Sequence, residues 1–287
     1  SSNGTSDISN IRLGSASGYL EINKVVSNVT QEIKVNVIQI GTYLISATKN
    51  GVTYSATGNF TSLGEKTITL IASGTPTVEG NNQFTLNIKP SLSFSKQVIS
   101  TATIGTQVWM KKNLDIATYR NGDAIPKVTD PAIWANLTTG AYCYYNNDSK
   151  KGAIYGKLYN WFAVNDPRGL APEGFHIPSN SEWYELIDFL GGEYVAGGKM
   201  KERGISHWEY PNKVDFESCG FNGLPGGYRN NDGEFGNIGD VTNWWSSSES
   251  YKTSAFARHL HKSFLSASWN VDGINKRFGL SVRCIKD

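Results

Sequence analysis

The 287-residue sequence has few charged side chains, no long run of one charge and no long apolar segment. Charged residues make up 18% of it and the net charge is only +2, so the basic surface that nucleic-acid binding requires is not expected. Apolar runs such as those at residues 43–45 and 70–72 are far too short to span a membrane. Hydrophobic residues at 39% argue for a folded chain rather than a disordered one.

Cysteine is also scarce, with only Cys143, Cys219 and Cys284 present. Three cysteines form at most one internal disulfide, so one bridge and three buried thiols both stay open. There is no Cys-x-x-Cys pair, and dithiol redox chemistry is therefore not expected. A cysteine-based metal site would need more ligands than the sequence groups together.

Tryptophan is absent from the first 95 residues, and all 8 tryptophans lie after them. This shift in composition predicts two domains. Abundant Tyr, Trp, Gly, Asn and Ser are typical of extracellular recognition domains, because aromatic side chains give large contact areas at low entropic cost. Residues 1–10 read as a flexible polar lead without Met. We therefore expect a removed export signal and an extracellular or outer-membrane surface location, with a lipid anchor lost alongside that signal.

The early part of the sequence alternates polar and apolar residues in short segments separated by turn residues. Candidate strands cover residues 31–37, 42–48, 52–60, 66–72 and 83–88. Asn50 and Gly51 lie between two of them and predict a two-residue hairpin, since both tolerate positive φ. An all-β sandwich is predicted for residues 11–90, followed by a short junction at residues 89–95.

The later part, residues 97–287, is predicted to be α+β with a high loop content. Ser179 and Glu182 form a capping-box pattern ahead of apolar residues spaced 183, 186, 187 and 190, which predicts a helix. A weaker helix pattern covers residues 130–136. The Gly- and Asn-rich stretch at 220–239 predicts a long loop, and strands are predicted at 255–260 and 280–285.

Motifs along residues 103–287 resemble the Fibrobacter succinogenes major paralogous domain family. They are IGTQVWM at 104–110 with NL at 113–114, Tyr119 with NG at 121–122, YCYYNN at 142–147, YGKLYNW at 155–161, LAPEGFHIP at 170–178, EW at 182–183, GF at 220–221, LPGGYR at 224–229, WWSSSE at 244–249 and GLSVRC at 279–284. The resemblance implies a C-type-lectin-like fold and an exported surface protein or lipoprotein of Bacteroidota or Fibrobacteres. It implies binding or adhesion without an agreed activity.

The first domain resembles the immunoglobulin-like modules of Bacteroidota surface proteins. The likeness rests on GTY at 41–43, NGVTY at 50–54, GNF at 58–60 and SGTP at 73–76. The fold class that we expect is therefore multidomain, an immunoglobulin-like sandwich followed by a C-type-lectin-like domain.

Catalytic patterns are weak, so we expect a protein that is not an enzyme. There is no Gly-x-Ser-x-Gly elbow, and formylglycine-type oxidation would need a cysteine pair beside Cys284. His176 is expected to be structural and His207 to lie on a loop. His259 and His261 lie on one strand face but are two ligands only. Paired carboxylates for glycoside hydrolysis stay open, because the fold sets their spacing.

No cofactor is expected, and calcium is the one ion that the pattern leaves open. Lectins of the resembled fold use a Trp-Asn-Asp tripeptide, and residues 269–272 read Trp-Asn-Val-Asp. Asn270 and Asp272 are therefore weak candidate calcium ligands, in a sequence that departs from the tripeptide by one inserted residue.

The stretch between residues 244 and 283 is the expected ligand surface. It runs from the WWSSSE motif to the GLSVRC motif, and in the sequence-variable proteins of the resembled fold the residues between these two motifs are the exposed binding positions. The candidate contacts are Tyr251, His259, His261, Phe264, Trp269, Asn270 and Lys276. We expect a monomeric adhesin that binds a glycan or a surface glycoprotein and no nucleic acid. The alternatives are a structural pilus-tip or surface-assembly subunit, and an enzyme acting on carbohydrates or sulfate esters.

Overall fold

The computed structural model describes residues 5–215, 217–269 and 272–287. The chain divides into two compact units, Ser1–Ser100 and Thr101–Asp287. Strands greatly outnumber helices in the described residues, so the chain is a β-rich multidomain protein. None of the described helices is long and apolar enough to cross a membrane.

The first unit contains two β-sheets that pack on one core. One sheet has five strands in the order β1-β3-β6-β5-β4, and the other has the order β2-β8-β7. Tyr54 of the larger sheet meets Phe84 and Phe94 of the smaller one edge-on. The strands are β1 (Asp7–Ser17), β2 (Leu20–Glu21), β3 (Thr30–Gln39), β4 (Gly41–Lys49), β5 (Val52–Phe60), β6 (Gly64–Gly74), β7 (Gly80–Thr85) and β8 (Ser93–Ile99).

The alternation in the sequence produces these strands. Gln31, Ile33, Val35 and Val37 of β3 are buried, and the residues between them are less so. The predicted hairpin is present, with Asn50 and Gly51 at positive φ between β4 and β5. A side chain at Gly51 would also collide with the carbonyl oxygen of Thr75, so glycine is required there.

Both ends of the first unit differ from the sequence-based prediction. Ser1–Gly4 lie outside the described residues, but residues 7–10 of the expected flexible lead belong to β1, which pairs with β3 through three register shifts. At the other end, β8 lies beyond the predicted boundary at residue 90. The alternating serines at 91, 93 and 95 suggest a linker, but Phe94 and Val98 are buried in the core.

The second unit is built from short strands around long connections. A four-stranded sheet has the order β13-β20-β10-β9, and another contains β16, β17 and β18, with β19 also paired to β17. The strands are β9 (Thr101–Ile104), β10 (Gln107–Met110), β11 (Tyr142–Cys143), β12 (Leu158–Tyr159), β13 (Phe175–His176), β14 (Tyr228–Arg229), β15 (Phe235–Gly236), β16 (Val241–Tyr251), β17 (Ser254–His261), β18 (Ala267–Trp269), β19 (Ile274–Asn275) and β20 (Ile285–Lys286). The predicted strand at 280–285 is thus reduced to β20.

The described residues of this unit form five short α-helices, of which two were predicted. They are α1 (Pro131–Ala135), α2 (Ser149–Tyr155), α3 (Trp161–Val164), α4 (Asn180–Phe189) and α5 (Glu193–Met200). Asp130 caps α1, and Ser179 and Glu182 form the predicted capping box at α4. The sequence does not predict α5, because Gly197 and Gly198 disfavour a helix. The loop at residues 264–266 packs so closely on α5 that a Cβ at Gly197 would lie 2.1 Å from the carbonyl oxygen of Ser266.

Buried cations hold this loop-rich unit together. Arg229, Arg258 and Arg283 are fully buried, and each guanidinium lies over at least one aromatic ring. Lys157, Lys201 and Lys276 are also buried and lie over rings of Tyr or Trp. Guanidinium and ammonium groups that reach backbone carbonyls can organise irregular segments, because such segments lack the regular hydrogen bonds of helices and sheets.

Candidate functional site

The paired strands β16 and β17 present two different faces. Trp244 and Leu260 point to the core that also contains Trp109 and Trp183. On the other face, Val241 is opposite His261 and Asn243 is opposite His259. The sequence alternation therefore places Asn243, which is buried, and His259, which is half-buried, together on this second face.

A pocket of about 460 Å³ lies on this second face. β19 and the segment that follows it form another of its walls. The lining residues are Tyr228, Asn237, Val241, Asn243, His259, Gly273, Ile274, Asn275, Phe278 and Leu280. None of these residues carries a carboxylate, an ammonium or a guanidinium group, and the pocket combines three amides with two aromatic rings.

The imidazole of His259 is fixed in one neutral form. Its Nδ1 lies 2.9 Å from Oδ1 of Asn243, and because an amide oxygen only accepts, Nδ1 donates the hydrogen bond. Burial, together with the neighbouring His261, lowers the pKa of His259 from 6.5 to about 4. His259 is therefore uncharged at neutral pH, with Nε2 as its acceptor atom.

The remaining pocket groups are ordered by local contacts. The rings of Tyr228 and Phe278 lie 6.0 Å apart, and Nδ2 of Asn237 lies 3.4 Å from the Tyr228 hydroxyl. Oδ1 of Asn275 accepts a hydrogen bond from the backbone N–H of Arg277 at 3.0 Å. The pocket thus offers amide donors and acceptors next to apolar ring surfaces.

The structure brings only some of the predicted contact residues together. His259 lines the pocket, and His261 is its neighbour, with ring centroids 6.4 Å apart. The ring of His261 lies 5.0 Å from that of Phe264, which is exposed. Tyr251 is exposed at the far end of β16. The backbone of Trp269 pairs with Arg258, and Asn270 lies outside the described residues.

Lys276 differs from its prediction as a ligand contact. It is buried, its ammonium pairs with Glu249 and donates to the carbonyl of Lys252 at 2.9 Å, and it lies over the ring of Trp161. The sequence alone suggests that this loop lysine is free to contact a ligand. In the structure the ring of Trp161 and the carboxylate of Glu249 bind its ammonium group in the interior. We assign it a structural role.

Lys201 was not identified from the sequence, and it supports the loop that carries Phe264. Its ammonium donates to the carbonyls of His261 at 3.0 Å and Phe264 at 2.8 Å, and it approaches that of Lys262 at 3.4 Å. Burial lowers the pKa of Lys201 to about 8. No sequence motif marks this lysine, because its partners lie 60 residues away in the chain.

The imidazoles of His176 and His207 each contact carboxylate groups. His176 bridges Asp287 and Glu182, with both nitrogen–oxygen distances at 2.7 Å, and the same Glu182 caps α4. Although burial opposes the charged form, these two carboxylates raise the pKa of His176. Nδ1 of His207 lies 2.8 Å from Glu202.

The described residues contain no group of three or more His, Cys, Asp or Glu side chains placed to bind a metal ion. Of the two weak calcium candidates, Asn270 is not described. Asp272 is exposed, and its backbone carbonyl accepts hydrogen bonds from the hydroxyls of Ser250 and Ser254.

All three cysteines are free thiols. Burial raises the pKa of Cys143 and Cys284 to about 12, so both stay protonated at neutral pH.

Comparison with known proteins identifies a family. A family model described as the Fibrobacter succinogenes major domain matches residues 102–286, which is more than half of the chain. No curated protein matches the chain, and no solved structure does.

Proposed function

This chain belongs to the Fibrobacter succinogenes major domain family, and we propose that it is a cell-surface binding protein, an adhesin, whose second unit binds a carbohydrate. The observation that carries the proposal is the pocket beside β16 and β17. Its polar lining consists of three asparagine amides, one tyrosine hydroxyl and one neutral imidazole.

The chemistry of this lining suits a sugar. Each asparagine amide both donates and accepts hydrogen bonds, as each sugar hydroxyl does, so the two can pair without leaving a buried group unsatisfied. The rings of Tyr228 and Phe278 offer apolar surface for the C–H face of a pyranose. Specific sites of this kind combine apolar walls with a few placed polar groups.

The same lining favours binding over catalysis. A glycosidase needs two carboxyl groups beside the scissile bond, and the residues that line the pocket include none. With a pKa of about 4, His259 is a weak base at neutral pH. The protonated thiols of Cys143 and Cys284 are poor nucleophiles.

In this proposal the second unit is a C-type-lectin-like domain, and the first is an immunoglobulin-like sandwich that holds it away from the cell. Support for the sandwich comes from its two sheets on a shared core. Support for the lectin-like domain comes from the family motifs and the loop-rich, aromatic-filled fold. The protein would be exported and monomeric, and would bind free glycans or glycans carried on glycoproteins.

The test is binding of the full chain to an array of glycans and glycoproteins, with calcium and with chelator. We expect Phe278→Ala and Asn237→Asp each to weaken a specific hit by at least about tenfold, a loss of about 1.4 kcal/mol. The matched control is Phe264→Ala, which removes an exposed aromatic outside the pocket and should leave the affinity unchanged.

Three results would count against this pocket. Loss of the hit in Phe264→Ala but not in Phe278→Ala would move the site to the loop after β17. Loss on chelation would support the calcium reading at Asn270 and Asp272 instead. Absence of any hit with correctly folded protein would contradict carbohydrate recognition.

A further inference from the structure

The larger sheet of the first unit is split along part of its length. β5 and β6 pair only from Val52 with Gly74 to Ser55 with Ile71. Beyond that point, residues 56–60 pair with β4 on one side and residues 64–70 pair with β3 on the other. Among the described residues, neither segment has a backbone ladder partner on the side where the two strands diverge.

A recess of about 420 Å³ lies along this split. Its lining residues are Tyr43, Ser55, Ala56, Thr57, Thr67, Ile68, Thr69, Ile71 and Ser73, none of which is charged. Neighbouring strands lie about 4.8 Å apart, so one inserted strand needs a gap of about 9.6 Å. The extended chain from Phe60 to Gly64 spans about 13 Å, so β5 and β6 can lie far enough apart where this connection joins them.

We infer that this split accepts one extended strand of another polypeptide, which pairs with the free edges of β5 and β6. Only an extended backbone offers N–H and C=O groups at the repeat of a strand edge. The uncharged, hydroxyl-rich lining selects a segment in which Thr or Ser alternates with aliphatic residues, because such side chains pair well across strands.

The outer edges of the same sheet are less suited to this role. β1 is interrupted by three register shifts, and Arg12 on it forms an ion pair with Glu65. The outer edge of β4 is met by the chain itself, through a hydrogen bond from the backbone N–H of Ser6 to the carbonyl of Thr42. Bulges, charges and covering segments are the usual protection of sheet edges. The free segment of β6 carries charge only at its start, at Glu65 and Lys66, and the residues that line the recess are uncharged.

The register defines a probe. If the β5–β6 pairing continued in the same register, residues 66–70 would lie opposite residues 56–60. In the structure residues 66–70 pair with β3 and not with β5. A peptide that copies β6, residues 64–74, therefore supplies the complement that the β5 edge lacks. Terminal lysines keep it soluble, and a second peptide with proline at the positions of Thr67 and Thr69 lacks two of the required donors.

The experiment is amide hydrogen exchange of the full chain with the β6 peptide. At a peptide concentration about nine times its Kd, exchange at residues 56–60 and 64–70 should slow by about tenfold. The proline peptide should produce no slowing. Thr57→Lys, which places a charge in the recess, should weaken binding, and Thr85→Lys on the exposed face of β7 should not.

Two outcomes would overturn the inference. The first is no protection of these amides at millimolar peptide with natively folded protein. The second is self-association of the chain that protects the same amides without peptide, because the occupant would then be a second copy rather than a separate strand. Glycan binding by the second unit is measured independently and changes neither result.

Discussion

Replacing Asn243 by aspartate should charge a histidine that is neutral in the native pocket. Burial, with a contribution from His261, moves the pKa of His259 from 6.5 to about 4, which corresponds to about 3 kcal/mol against the imidazolium. Asn243→Asp replaces the amide oxygen, 2.9 Å from Nδ1, by a carboxylate. With the charge centres about 4 Å apart and an effective dielectric constant of ~20, the attraction is about 4 kcal/mol. The two effects nearly cancel, so the pKa of His259 should return to its ordinary value.

Proton NMR titration of the imidazoles measures this change directly, because the chain has only 4 histidines. His259→Gln assigns the resonance, and His176, held by Asp287 and Glu182, serves as the internal control. A wild-type His259 that titrates at its ordinary pKa would refute the reasoning from burial. A variant in which the resonance remains as in the wild type would refute the reasoning from the Asn243 contact.

Stability should follow the same shift. The folded-state pKa of His259 lies below its unfolded value, so the unfolded chain binds more protons between about pH 4 and pH 6.5. His259 therefore makes the protein less stable as the pH falls through that window. Asn243→Asp should reduce this loss, measured as the urea midpoint at pH 4.5 relative to pH 7.

Three further changes test other parts of the fold. His176→Gln should shrink the gain in Tm on acidification, because the raised pKa of His176 contributes stability that is lost as pH rises through it; an unchanged pH profile would contradict the bridge to its carboxylates. Lys276→Met should cost about 1–3 kcal/mol in urea unfolding, because the buried ammonium loses its contacts with Glu249, the carbonyl of Lys252 and the ring of Trp161; an unchanged stability would contradict the structural role of Lys276. Gly197→Ala should destabilise by about 2 kcal/mol through its clash with Ser266, although alanine is the better helix former; increased stability would refute the close contact.

Local patterns predicted the local structure well. The Asn50–Gly51 hairpin and the capping box of α4 depend on neighbouring residues, and both are present. Features that depend on distant contacts were missed. The glycines of α5 discourage a helix in isolation, and they are tolerated because a loop 67 to 69 residues later requires the space. β8 was missed for a similar reason, because the core that buries Phe94 comes from other strands.

The candidate site shows the same division. The sequence suggested His259 as a candidate contact, and His259 lines the pocket. The sequence also predicted that His259 and His261 share one strand face, where their rings are neighbours. It also selected Lys276, because the sequence cannot show that Glu249 and Trp161 surround that ammonium. Asn237 and Phe278 were not identified, since a pocket formed by segments far apart in the chain has no local signal.

The motifs that identify the family account for the scaffold more than for the ligand. Oδ1 of Asn113 accepts hydrogen bonds from Trp244 at 2.8 Å and from Arg283 at 2.8 and 3.1 Å, and three separate motifs thereby meet in one buried network. By contrast, Asn237, Asn275 and Phe278 of the pocket lie between the motifs. Substitutions at these positions can change the pocket without touching the network. In this chain the family motifs therefore form the buried network and contribute Tyr228 and Leu280 to the pocket, and the specificity of the proposed binding site is best tested at the intervening residues.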